Sequence, residues 1–83
     1  MTKVKAFTHN GRQLEVHAVR TPSNSWVVSV RDGAGLTVST TGSIPRWSEP
    51  APGQPAAGPF ASIDALIEHV VAEVSASRMP LLP

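Results

Sequence analysis

The sequence contains no cysteine. Neither a disulfide framework nor a thiolate metal site is therefore possible, and the core of this 83-residue chain must hold without covalent cross-links. Aromatic residues make up only 5% of the chain and charged residues 16%, and the net charge is +1. This near-neutral balance indicates no strong electrostatic attraction to nucleic acid or to a lipid surface.

Long apolar runs are also absent. No stretch approaches the roughly 18 consecutive apolar residues that a membrane-spanning helix needs, and the mean hydropathy is −0.02. The first residues include Lys3 and Lys5 and do not form the apolar segment and cleavage site of a secretory signal. These observations predict one small cytoplasmic domain, spanning residues 1–83, with no membrane segment.

Apolar and polar residues alternate through the first half of the chain, which is typical of β-strands. The pattern predicts four strands, over about residues 3–8, 12–20, 25–31 and 36–40. The third is the most strand-like and should lie centrally, because consecutive strands usually neighbour one another in a meander. Its alternation predicts that Val28 faces the core and Val27 faces the other way. Leu36 and Val38 should also lie on the core side of the sheet.

The turn Asn10-Gly11 is a strong hairpin signal, but two registers compete around it. A two-residue turn places Lys5 beside Val16. A three-residue loop, with the glycine in a left-handed bulge, places Lys5 beside Glu15 and Val4 beside Val16. The second register gathers small apolar residues on one face and adds an opposite-charge pair worth roughly 0.2–1 kcal/mol. We therefore predict the bulged hairpin.

Proline and glycine interrupt any regular pattern between residues 41 and 59, which predicts a long loop. Ser62 is a suitable N-cap, and apolar residues recur after it at helical spacing, which predicts a helix over about residues 62–77 that ends before Met79-Pro80. The sequence thus predicts an α+β fold of ββββα type. A three- to four-stranded antiparallel β-meander would be covered on one face by the C-terminal α-helix.

Trp47 interrupts the predicted loop and has two interpretations. In the favoured one it folds back on the domain as a core residue at the sheet edge. In the other it is an exposed anchor for a partner, since tryptophan is enriched in binding hot spots.

Three segments carry a resemblance to a known kind of domain: Asn10-Gly11-Arg12, Trp26–Val30 and Pro59–Ser62. The chain resembles a type of small, uncharacterised bacterial domain, common in beta-proteobacteria, built from a short antiparallel sheet and one helix. The likeness covers most of the chain from Val4 to Val74, apart from the proline-rich loop. It implies a β-meander-plus-helix fold with no assigned activity, and it adds no site residues.

No motif indicates catalysis or cofactor binding. His9, His17 and His69 fall in a turn, on the outer sheet face and on the helix flank, and no ligand set for a metal converges around them. No serine lies in a glycine-flanked nucleophile turn, and Gly33 and Gly35 are not followed by the helix of a phosphate loop. We therefore expect no enzyme, no metal and no cofactor.

The sheet face away from the helix is the surface available to a partner. The predicted function is a non-catalytic protein-interaction or self-association module that binds an unknown protein or a second copy through this face or a sheet edge. The alternative is weak binding of single-stranded nucleic acid, in which basic residues contact phosphate while aromatic rings stack on bases. The candidate residues are Lys3, Lys5, Phe7, His17, Val27, Arg31 and Trp47.

Overall fold

The computed structural model describes residues 1–38, 40, 44–56 and 58–78. The elements are β1 Thr2–His9, β2 Arg12–Arg20, β3 Ser25–Asp32, β4 Thr37–Val38, β5 Trp47–Ser48 and α1 Ile63–Ser75. The five strands form one antiparallel sheet in the order β1-β2-β3-β4, with β5 also paired to β3. This confirms the predicted α+β fold of ββββα type.

Two elements differ from their predicted extents. The strand β5 lies within the segment predicted as loop, and β4 is shorter than predicted. Ser39, predicted as part of the fourth strand, and the predicted helix stop at Met79-Pro80 lie outside the described residues. The helix begins as predicted, because the Ser62 side chain accepts a hydrogen bond from the backbone N–H of Ala65 at 3.2 Å.

The first hairpin has the two-residue turn, so the predicted bulged register is wrong. His9 pairs with Arg12, and both turn residues have positive φ, 53° at Asn10 and 75° at Gly11. These are the values of a type I′ turn, whose twist matches that of the flanking strands. This register also places Phe7, rather than the smaller Ala6, beside the buried Leu14. Burial of an aromatic ring outweighs a surface charge pair.

The change of register moves the alternate residues of β1 to the other side of the sheet. Lys3 and Lys5 lie on the helix side, where their Nζ atoms lie 3.0 Å from Asp64 Oδ2 and 3.1 Å from Glu68 Oε1. Phe7 packs against the core on the same side. The prediction that these three residues lie on the outer face is therefore wrong.

Two segments pack on the core side of the sheet, one over each half. The helix α1 lies over β1 and β2, whereas Trp47 packs beside Trp26 over β3. Both indole N–H groups are satisfied: Trp26 Nε1 donates to Glu49 Oε1 at 2.8 Å, and Trp47 Nε1 donates to the Phe60 carbonyl at 3.0 Å. The buried residues are Leu14, Val16, Ala18, Trp26, Val28, Val30, Val38, Trp47, Ile63, Leu66, Ile67, Val70 and Val74.

Trp47 is therefore a core residue, as the favoured interpretation predicted. Only 7% of its surface is exposed, so the alternative of an exposed anchor is wrong. Leu36 was predicted to face the core, but 67% of its surface is exposed, so that prediction is wrong. This residue lies in a turn that the Asp32 carboxylate holds by accepting hydrogen bonds from the backbone N–H groups of Ala34 and Leu36.

Gly11→Ala should destabilise the domain, because a Cβ disfavours the left-handed backbone conformation by about 1–2 kcal/mol. The loss should appear as a lower midpoint in urea denaturation. Gly33→Ala is the matched control, because Gly33 does not have a positive φ and an added Cβ would lie 3.7 Å from Gln13 Cβ, an ordinary contact. Equal midpoints for the two variants would contradict the type I′ turn.

Candidate interaction surface

The open face is the side of the sheet that α1 does not cover. The strand registers, together with the alternation of side chains along each strand, determine its membership. Among the predicted site residues, His17, Val27 and Arg31 lie on this face, whereas Lys3, Lys5, Phe7 and Trp47 do not. Its residues are Thr2, Val4, Ala6, Thr8, Gln13, Glu15, His17, Val19, Val27, Ser29, Arg31 and Thr37.

Three valines expose apolar surface on the open face, and we call them the valine patch: Val4, Val19 and Val27. Val19 and Val27 pair directly across β2 and β3. Val4 lies on β1 diagonally opposite Val19, since its direct partner is His17. The exposed fractions are 51% for Val4, 40% for Val19 and 37% for Val27. The three exposed valines therefore lie near one another on three adjacent strands, with Val19 and Val27 as direct neighbours and Val4 at a diagonal position.

The exposure of Val4 was not predicted from the sequence. The bulged register placed Val4 beside Val16 on the core side, whereas in the structure Val4 pairs with His17. The Asn10-Gly11 dipeptide was the signal that could have placed it correctly, because this pair of residues favours the two-residue turn that the structure contains.

Charged and polar groups border the valine patch on one side. Glu15 and Arg31 are directly paired on β2 and β3, and Ala6 is the β1 neighbour of Glu15. His17 Nε2 lies 3.5 Å from Glu15 Oε1 without hydrogen-bond geometry. Both His17 Nε2 and Arg31 Nε are buried, and neither has a hydrogen-bond partner among the described residues. Unsatisfied buried polar atoms of this kind are uncommon and unfavourable.

The other two histidines lie far from this border. The His9 ring contacts the Asn10 side chain in the turn, and the His69 ring on α1 lies 5.1 Å from the Phe60 ring. His69 Nδ1 also lies 3.9 Å from Glu73 Oε1. The described residues contain no group of three or more His, Asp or Glu side chains able to hold a metal ion. Within those residues, no helix has the length and apolar character to cross a membrane.

The end of α1 carries a surface ion pair rather than a reactive carboxylate. Arg78 Nε donates to Glu73 Oε2 at 3.0 Å, and this hydrogen bond lowers the pKa of the Glu73 carboxyl. The group remains ionised at neutral pH, which does not suit it for general acid catalysis.

A shallow surface depression lies near the start of the chain. It is lined by Met1, Arg20, Thr21, Pro22 and Asn24. The Arg20 guanidinium already donates to the side-chain oxygen of Asn24 at 2.7 Å. The depression brings together no pair of groups suited to nucleophilic or acid–base catalysis.

Comparison of the chain with protein-family models, with curated proteins and with solved structures finds no match. A function for this chain must therefore be argued from its own surface. The open face is the part of the described structure where exposed apolar area and unsatisfied polar groups occur together.

Proposed function

We propose that this chain is a non-catalytic protein-interaction or self-association module and that its contact surface is the open face. The valine patch is the observation that carries the proposal. The opposite side of the sheet is already covered by α1 and the two tryptophans, so the valine patch is not needed for the core. Exposed apolar area beside polar groups that can pair across a contact is a usual combination in a protein interface.

The polar border supports the same proposal and indicates the chemistry of the partner. The Arg31 guanidinium lies on this border beside Glu15, and its planar set of N–H donors suits a carboxylate or carbonyl oxygen of a partner. Arginine is also among the residues most enriched in binding hot spots. The expected partner surface is apolar at its centre and carries acceptor groups where it meets Arg31.

Single-stranded nucleic acid remains the alternative, with less support. The residues proposed for it do not share one surface: Lys3 and Lys5 contact carboxylates on α1, and Phe7 packs against the core. Arg31 and His17 are left on the open face beside Glu15, which would repel a phosphate. We also propose a cytoplasmic location, which suits a chain that has no disulfides.

The double substitution Val19→Lys with Val27→Glu tests the valine patch, since opposite charges at this directly paired position do not repel each other. Both side chains are partly exposed, so the variant should fold while its patch becomes charged. We expect it to lose the proteins that the unmodified chain captures from native cell extract, as measured by quantitative mass spectrometry. Leu36→Lys is the matched control, because Leu36 is exposed but does not belong to the patch.

An unchanged set of captured proteins in the double variant, with its fold verified by circular dichroism, would overturn the proposal. Titration of labelled single-stranded oligonucleotides at low and high salt tests the alternative in parallel. The proposal predicts no binding. Affinity that falls steeply with salt would instead indicate phosphate contacts.

A further inference from the structure

The outer edge of the sheet at β1 is long and regular. The strand spans Thr2–His9 without proline, glycine or bulge, and within the described residues no strand pairs with its outer side. Such an edge presents a row of backbone donors and acceptors to another strand. The opposite edge is different, because it consists of the two-residue strands β4 and β5.

The turn determines which backbone groups point outward. In a two-residue hairpin the residues that flank the turn exchange both backbone hydrogen bonds, and bonded and non-bonded pairs then alternate. His9 flanks the turn, so the odd-numbered residues of β1 bond to β2. The N–H and C=O groups of the even-numbered residues, with Ala6 near the middle of them, point away from the sheet.

Lysines on an edge strand usually oppose such pairing, but here they are held to one side. Lys3 and Lys5 form ion pairs with Asp64 and Glu68 on α1, and these carboxylates offset their charge. The side chains therefore lie above the sheet, on the helix side, and leave the backbone edge of β1 accessible.

We propose that β1 pairs antiparallel with β1 of a second copy, about a two-fold axis at Ala6. Symmetry and the outward hydrogen bonds require an axis through a residue of β1, and charge together with the length of the paired segment selects which one. An axis at Phe7 would pair only residues 5–9 of β1, whereas an axis at Ala6 pairs residues 3–9. An axis at Ala6 places Lys5 opposite Phe7 of the second copy and Lys3 opposite His9. An axis at Lys5 would place two lysines directly opposite each other, and an axis at Val4 would oppose Lys3 and Lys5, which is unfavourable.

The same pairing is favourable on both sides of the sheet. Both helices lie on one side, where Lys3 and Lys5 of each copy keep their ion pairs with Asp64 and Glu68 of the same copy. The two open faces become one continuous surface, with the valine patches of the two copies on the same side. This inference does not depend on the proposed function, because it concerns backbone pairing at the edge rather than contacts on the face.

Ala6→Pro tests the edge, because proline removes the outward N–H and leaves the hydrogen bonds to β2 in place. Sedimentation equilibrium over a range of concentrations should show a monomer–dimer equilibrium for the unmodified chain and dimerisation weakened about ten-fold or more for Ala6→Pro, since two intermolecular hydrogen bonds are lost. Ala6→Thr keeps the N–H and should dimerise normally.

Charged substitutions at Ala6 test the register, because only in the proposed register does Ala6 lie opposite Ala6 of the second copy. Ala6→Lys and Ala6→Glu should each weaken self-association, by about two- to five-fold. A mixture of the two should favour the mixed dimer. Circular dichroism spectra verify that each variant is folded. Self-association unaffected by either substitution would overturn the register.

The two proposals fail in different ways. A strictly monomeric unmodified chain would overturn edge pairing and leave the protein-interaction function intact. Dimerisation lost in the Val19→Lys, Val27→Glu double variant but kept in Ala6→Pro would also overturn it, and would show that copies associate through the open face.

Discussion

Val28→Asp should abolish the cooperative unfolding transition. Val28 is 8% exposed and pairs with the fully buried Ala18, so the substitution places an unpaired carboxylate beneath the helix-side core. An uncompensated buried charge costs about 3–5 kcal/mol, and a core of this size rarely supplies more than about 3–5 kcal/mol of net stability. Thermal unfolding followed by circular dichroism measures the effect.

Val27→Asp is the matched control for this prediction. Val27 is the preceding residue of the same strand, but it lies on the open face and is 37% exposed. This variant should keep a cooperative transition, because its carboxylate remains in water. The reverse result, with Val27→Asp unfolded and Val28→Asp folded, would show that the two faces of the sheet are assigned the wrong way round.

Trp47→Ala should lower the free energy of unfolding by about 3–5 kcal/mol, the usual cost of truncating a buried tryptophan. The indole covers the β3 half of the sheet beside Trp26, and its N–H donates to the Phe60 carbonyl. Removing it opens a cavity over β3 and leaves that carbonyl without its donor. In urea denaturation followed by the fluorescence of Trp26, then the sole tryptophan, the transition should move to much lower urea or be lost, because this cost is comparable to the net stability of such a core.

Two further substitutions separate the contributions of Trp47. Trp47→Phe keeps an aromatic ring but removes the N–H donor, so it should cost less than Trp47→Ala. Ser48→Ala alters the exposed neighbour in β5 and should leave stability nearly unchanged. If Trp47→Ala were as mild as Ser48→Ala, the segment that carries Trp47 could not be part of the core.

The interaction surface depends on the same geometry as the core. One register places Phe7 towards the helix and Val4 towards the open face, so the residues that complete the core also decide which residues a partner can contact. The predicted register was wrong, so the predicted site residues included Lys3, Lys5 and Phe7, which lie on the helix side of β1. Only His17, Val27 and Arg31 of that set lie together on the open face.

Local patterns in the chain were sufficient to predict the elements of the fold other than β5. Alternation identified β2 and β3, Asn10-Gly11 marked the first turn, and Ser62 marked the start of α1. Each of these signals acts between residues within a few positions of one another. Backbone geometry and nearest-neighbour preferences are strong enough at that range to be read from the residues alone.

Contacts between distant residues decided the register and the role of Trp47. The lysines of β1 have their partners on α1, with Lys3 and Asp64 61 positions apart, and the hydrogen-bond partner of Trp47 is the Phe60 carbonyl. A shift of one residue in a strand turns every side chain to the other face, and the local signal against it was the preference of Asn10-Gly11 for a two-residue turn. The packing of the helix and the tryptophan segment against the sheet selects the observed register, and with it the face that remains open.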